Sequence, residues 1–321
     1  MLGENDSITL SWVFHAATPV VLACPRSGLE LRIGQDMTTT GDHIAGPGMR
    51  FRYSATCVFE DELQLYPALR LLNRIRLFVS LIMGRVLEIE ETSLRLEDES
   101  GSHEARIHGL ISTQRSDVPA ERLIAFSGPE ELARMLDEWL VRFDDLSEAI
   151  HLHMDGLEQS RLPSQLRFQL FIQALEALHR RASDGNQSEP IDVALVQQTL
   201  REKGIAQSVV DRVSGMLAHA HEPGLRQRLR AYWDEFADEL AVLRPELTSS
   251  GFIGRAVATR NHFAHRTDRD HQVLERSDLW DWTETIKAIS HMALVNEIGG
   301  TVAGLGRAML DRRFVQYVME R

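Results

Sequence analysis

The sequence predicts an α+β fold, with a β-rich N-terminal domain over residues 1–126 and an all-α domain over residues 127–321. Two observations carry this division. Apolar and polar residues alternate from Ser7 to about Thr113, whereas apolar residues recur every three to four positions after Ser127-Gly-Pro129. A third observation is length, because 321 residues are enough to bury two separate cores.

Strands are expected at Ile8-Thr-Leu-Ser-Trp-Val-Phe14, Leu29-Glu-Leu-Arg-Ile33 and Met49-Arg-Phe-Arg-Tyr53, where every second side chain is apolar. Ser93-Leu-Arg-Leu-Glu97 and Glu104-Ala-Arg-Ile-His108 flank Glu99-Ser-Gly-Ser102, whose small residues suit a hairpin turn. Between these strands, Tyr66 to Met83 is expected to contain a helix. Pro129 suits a first helical turn with Ser127 or Gly128 as its cap, and the domain boundary is placed there. Helices follow over 130–150, 164–181, 190–202, 206–219, 224–243, 251–266, 277–297 and 302–319, separated by Gly-, Pro- or Asp-rich breaks. The stripe of Leu132, Met135, Leu136, Trp139, Leu140 and Phe143 reads as core packing.

Composition narrows the functional classes. Hydrophobic residues at 43% and charged residues at 26% describe a folded chain rather than a disordered one. The formal net charge of −12 repels phosphate backbones at long range and disfavours a protein that coats nucleic acid without specificity. Only Lys203 and Lys287 are lysines among the 35 basic residues, so the cationic chemistry belongs to arginine. Cys24 and Cys57 lie far outside any C-x-x-C spacing and read as reduced cysteines, with neither a disulfide nor a thiolate zinc site expected. Met1 to Ser11 lacks the basic and apolar regions of a signal peptide, and the longest apolar stretch, around Leu77 to Met83, is too short to span a bilayer. A cytoplasmic, non-membrane location is therefore expected.

The sharpest chemical signal is Arg260-Asn261-x-x-x-His265, inside Ala258-Thr-Arg-Asn-His-Phe-Ala-His-Arg-Thr267. In a chain so rich in arginine about one such Arg-x4-His pair arises by chance, and Arg266 to His271 is a second match. Context separates the two. A helix through 251–266 places Phe252, Ala256, Thr259 and Phe263 in one core-facing stripe. Asn261 and His265 then share the opposite side, with Arg260 on the flank and a stem long enough to bend toward them. Arg266 to His271 instead runs into Thr-Asp-Arg-Asp270, an expected helix end.

These residues resemble the ribonuclease motif of the HEPN superfamily, which is often R-N-x-x-x-H near the start of a late helix. The likeness extends to the ApeA-like HEPN group, in which a β-rich N-terminal domain precedes helices bearing a Q-A-L-E-x-x-H stretch. Here Gln173, Ala174, Leu175, Glu176 and His179 match that stretch within Phe168 to Arg180. The resemblance implies a metal-independent endoribonuclease, of use in antiphage defence and abortive infection, that works as a homodimer with two motifs lining one cleft. It implies an RNA substrate, tRNA among the candidates, a phage-derived trigger, and no cofactor.

Metal-free RNA cleavage needs a base for the 2′-hydroxyl proton, an acid for the leaving 5′-oxygen and a cation for the phosphorane charge. His265 can exchange a proton near neutrality, and Arg260 stays charged, so the products would be a 2′,3′-cyclic phosphate and a 5′-hydroxyl. Asn261 would orient the phosphate or His265, and Glu176 or His179 would tune the histidine. Arg255, Arg260, Arg266 and Arg269 against Asp268 and Asp270 would give the cleft a positive bias. The N-terminal domain would sense, recruit or restrain.

The alternative is a non-catalytic HEPN scaffold that dimerises and binds nucleotide, RNA or a partner protein. His151-Leu-His153 and His219-Ala-His221 are poor metal pairs, because side chains two apart diverge on a helix. Trp280 and Trp282 suit hydrophobic anchoring better than base stacking. No glycine-rich phosphate loop, G-x-S-x-G elbow or H-E-x-x-H helix is present.

Overall fold

A computed structural model describes residues 10–15, 20–42, 46–59, 65–87, 92–98, 101–107, 124, 127–158, 162–182, 192–217, 223–265 and 272–311. Its chain divides into two compact units, one of Met1–Ile75, Ala125–Arg142 and Ile298–Gly300, the other of Arg76–Ile124, Phe143–Glu297 and Thr301–Arg321. Among the described residues, no helix is long and apolar enough to cross a membrane.

The first unit holds four antiparallel strands: β1 (Leu10–His15), β2 (Val20–Cys24), β3 (Leu29–Asp42) and β4 (Gly46–Phe59). Strand β3 is the axis of this sheet. β4 pairs with its whole length, β2 pairs with Leu29 to Ile33 and β1 pairs with Asp36 to Gly41. Strand β2 was not expected, because Val20-Val-Leu-Ala-Cys24 is a continuous apolar run without alternation. Leu22, Cys24, Leu29 and Leu31 are nevertheless buried, and Val21 is exposed, so the pleat itself supplies the two faces.

The β2–β3 turn is tied down by a buried carboxylate. Asp137 accepts from the backbone N–H groups of Arg26 and Ser27 at 3.1 and 3.0 Å and from Ser27 Oγ at 2.8 Å. Gly28 closes the turn at φ +63°, where a Cβ would be strained. Burial, and then the Asp137 charge, push the Cys24 thiol up to about 11, so it stays protonated and unreactive near neutrality.

Helices α1 (Leu65–Met83) and α2 (Pro129–Glu158) contribute residues to both units. Helix α2 begins at Pro129 as its sequence requires, and Glu131 reaches back to accept from Ser127 N and Oγ at 2.7 and 2.8 Å. The stripe expected to be core is buried at Met135, Leu136, Trp139, Leu140 and Phe143.

The second unit contains the hairpin β5 (Thr92–Asp98) and β6 (Gly101–Ile107), whose Asp98 and Gly101 are register partners. It also contains α3 (Ser164–Ala182), α4 (Val193–Glu202), α5 (Gln207–Leu217), α6 (Leu225–Glu235), α7 (Ala237–Leu243), α8 (Ser249–His265) and α9 (Arg276–Glu297). Residues 305–311 are also helical, whereas the rest of the expected 302–319 helix lies outside the described residues. Asp192 caps α4 by accepting from Leu195 N at 2.9 Å.

One helix was expected over 224–243, and two are found. Phe236 leaves helical geometry at φ −107°, ψ 23° and buries its ring parallel to Tyr232, with centroids 6.2 Å apart. Ring packing overrides the helical periodicity that runs through the break.

The core of this unit lies between α3 and α9, where Phe168, Phe171, Ile172 and Leu175 meet a face that includes Ile286, Ile289 and Met292. Helix α2 joins it at Gly156, where a built Cβ would come within 2.7 Å of the Phe171 ring. His153, fully buried, lies beside it. Its Nδ1 is 2.9 Å from Ser290 Oγ and its Nε2 is 3.4 Å from His291 Nδ1. His151 on the same helix is exposed, so the two side chains diverge.

Gly156→Ala is expected to destabilise by about 1–3 kcal/mol, the usual cost of overpacking a close contact, measured by denaturant unfolding. A second expectation concerns pH. Burial, then the charges of His291 and Lys287, hold His153 well below the ordinary histidine range. The unfolded chain binds this proton near pH 6.5 and the fold does not, so stability is intact above that value and declines as pH falls below it. The melting temperature should fall by several degrees between pH 7 and pH 5, and His153→Leu should reduce that slope.

Candidate functional site

Helix α8 is rotated by its aromatic face. Phe252 lies between Trp233 and Trp282, with ring centroids 4.9 and 4.8 Å away, and Ile253, Ala256 and Thr259 are buried behind it. Thr259 Oγ1 accepts from Leu274 N at 3.0 Å in the buried interior, which fixes the axial position of the helix as well. The expected stripe is thus buried at Phe252, Ala256 and Thr259, with Phe263 half-buried.

With that face committed, Asn261 is half-buried and His265 exposed. Arg260 and His265 start about 140° apart around the axis, a separation that the arginine stem overcomes by folding along the helix. Arg260 Nη1 lies 3.5 Å from Asn261 Oδ1 and 3.5 Å from His265 Nε2. A guanidinium can only donate, so in this contact the ring nitrogen is the acceptor.

The other end of the guanidinium belongs to α3. Arg260 Nη2 donates to Glu176 Oε1 and Oε2 at 3.2 and 3.4 Å, with both side chains more than two-thirds shielded from solvent. Glu176 therefore acts on His265 through the guanidinium that they share. His179, one turn later, sets its ring edge-on to Tyr232, with centroids 6.0 Å apart. Burial, and then the Arg228 charge, lower its pKa and favour the neutral imidazole.

Arginines that were not read as site residues complete the surroundings. Arg228 on α6 is buried, donating from Nε to Pro223 O at 2.7 Å and from Nη1 to Glu176 O at 3.0 Å. A cavity of about 410 Å³ is lined by Glu176, Arg180, Pro223, Gly224, Leu225, Arg228 and Arg260. The signal for Arg228 was present in the sequence, since it lies three residues after Leu225 and four before Tyr232, on the face that α6 buries. Arg180 Nη2 donates to Glu148 at 3.1 Å on the exposed rim.

Arg255 is turned elsewhere: it pairs with Asp278 at 3.0 Å and lies over the Trp282 ring at 5.2 Å. Trp282 is core, whereas Trp280 is exposed. Arg266, Asp268, Arg269, Asp270 and His271 lie outside the described residues, as do His219 and His221.

Residues 170–303 match the family described as Apea-like HEPN, under half of the chain. That span runs from within α3 to beyond α9 and contains Glu176, His179, Arg228, Arg260, Asn261 and His265. It supports membership of the HEPN superfamily for the helical region. No curated protein and no solved structure matches the chain.

Proposed function

We propose that the chain is a metal-independent endoribonuclease of the HEPN type, with Arg260 and His265 as its catalytic pair. One observation carries this reading. A permanently charged guanidinium and a histidine nitrogen lie 3.5 Å apart, and the guanidinium also lines an arginine-rich cavity, inside the span that matches Apea-like HEPN. Two groups this close can address one phosphodiester.

In this reaction His265 Nε2 takes the 2′-hydroxyl proton, and the freed 2′-oxygen attacks phosphorus. The bond from phosphorus to the 5′-oxygen breaks, the leaving oxygen receives a proton, and a 2′,3′-cyclic phosphate and a 5′-hydroxyl result. Arg260 stabilises the charge on the non-bridging oxygens, and Asn261 positions the phosphate beside it. Glu176 holds the Arg260 guanidinium beside His265 before substrate arrives. A second copy of the chain would bring a second such pair to the cleft and supply the complementary proton transfer. Antiphage defence and control by the N-terminal residues 1–126 complete the proposal, both implied by the ApeA-like resemblance.

One observation favours a second reading. The Arg260–Glu176 pair joins α8 to α3, as a purely architectural ion pair would, which fits a HEPN scaffold that binds without cleaving. Incubation with total RNA separates the two. Wild type should yield 2′,3′-cyclic phosphate and 5′-hydroxyl ends in the presence of EDTA, and Arg260→Ala and His265→Ala should each lose at least about a hundredfold in rate. Intact tRNA, rRNA and mRNA with wild type would leave the scaffold reading. Glu176→Gln should lower the cleavage rate without abolishing it, since the arginine keeps its charge and loses only its tether.

A further inference from the structure

Helices α4 and α5 form a hairpin that buries little of its own apolar surface. They are 10 and 11 residues long and pack chiefly on each other. Helix α4 buries no residue, and Val210 is the buried one among the described side chains of α5. Helices this short are marginal in water unless an apolar face finds a partner. The seam between them is made by Val193, Val196 and Leu200 on α4 and by Val210, Val213 and Leu217 on α5, each set spaced i, i+3, i+7. Outside the seam, Leu195, Ile205 and Val209 remain 59%, 39% and 46% exposed.

Helical geometry gathers these side chains. At about 100° per residue from the seam, Leu195 and Val209 fall on one broad face of the hairpin, with Glu202 along its α4 edge and Arg212 along its α5 edge. From Asp192 to Leu217, the acidic Asp192, Glu202 and Asp211 balance the basic Arg201, Lys203 and Arg212, so the hairpin is neutral within a chain of net charge −12. All six are exposed, and among the described residues none is paired with an opposite charge of its own copy. Glu202 accepts instead from Gln198 Nε2 at 2.9 Å and Asp211 from Gln207 Nε2 at 2.6 Å. Two copies of so acidic a chain repel each other, and a neutral apolar face is where that repulsion is least.

We propose that the α4–α5 hairpin is a self-association surface, on which two copies pack face to face about a two-fold axis running along the hairpin. That axis lays α4 of one copy over α5 of the other. It buries Leu195 and Val209 at the centre and sets the Glu202 edge of each copy against the Arg212 edge of the other, as an isologous contact requires. Helices about 16 Å long make a small contact, which suits reversible association. The surface uses neither α3 nor α8, so it is additional to the cleft between copies in the endoribonuclease reading and holds whether or not RNA is cleaved.

Sedimentation velocity on the full chain without RNA, over about 1 to 100 µM, tests the proposal. Wild type should gain mass with concentration, and Leu195→Glu and Val209→Glu should each weaken association by at least about tenfold. Glu202→Arg leaves both edges of the face basic, and Arg212→Glu leaves both acidic. Each of these variants alone should associate weakly, and an equimolar mixture of the two should recover wild-type association. All four positions are exposed, and far-UV circular dichroism checks that the helices are retained. A wild type that stays monomeric, variants that associate as wild type does, or a mixture no stronger than its components overturns the proposal and leaves the face to a different protein. RNA cleavage, measured separately, bears only on the endoribonuclease reading.

Discussion

The packing of Phe252 between Trp233 and Trp282 is the constraint on which the site depends. A helix can rotate about its axis at little cost until large side chains on one face find fixed partners. Here two aromatic contacts below 5 Å and the Thr259–Leu274 hydrogen bond set rotation and position together. Once they are set, Arg260 has one direction in which to emerge, and α3 presents Glu176 to meet it. A shift of even one residue in this register would carry the guanidinium around the axis by about 100° and separate it from Glu176 on α3, while Arg260 and His265, on one helix, would move together.

The electrostatic arrangement combines opposite tendencies at two length scales. At long range the chain carries a net charge of −12 and repels polyanions. At short range Arg180, Arg228 and Arg260 line one cavity, with Glu176 as a counter-ion for Arg260 and Glu148 for Arg180. A phosphate brought to Arg260, as the proposed reaction requires, would compete with Glu176 for the same guanidinium. Glu176 thus has two effects on the proposed chemistry. It preorganises Arg260 beside His265, and it partly neutralises the charge that the transition state would draw upon.

Local signals in the sequence were strong enough to place most elements. Pro129 after Ser127 marks the start of α2, and alternation marks β1, β3, β4 and the β5–β6 hairpin. Two features escaped for physical reasons. Val20 to Cys24 has no alternating signal, and its pairing with β3 is a long-range choice that no local window contains. The break at Phe236 arises from ring packing on Tyr232, whereas the surrounding residues continue a helical pattern.

By itself the sequence determined that α8 is helical, that Phe252, Ala256 and Thr259 form its inner face, and that Asn261 and His265 share the outer one. Those facts follow from periodicity alone. Only the tertiary structure decided what surrounds the motif: Glu176 rather than a histidine grips Arg260, Arg255 turns to Asp278, and Arg228 arrives from α6. The reason is that ion pairs and cavities are made between helices distant in sequence, where the packing of apolar faces fixes which charges meet.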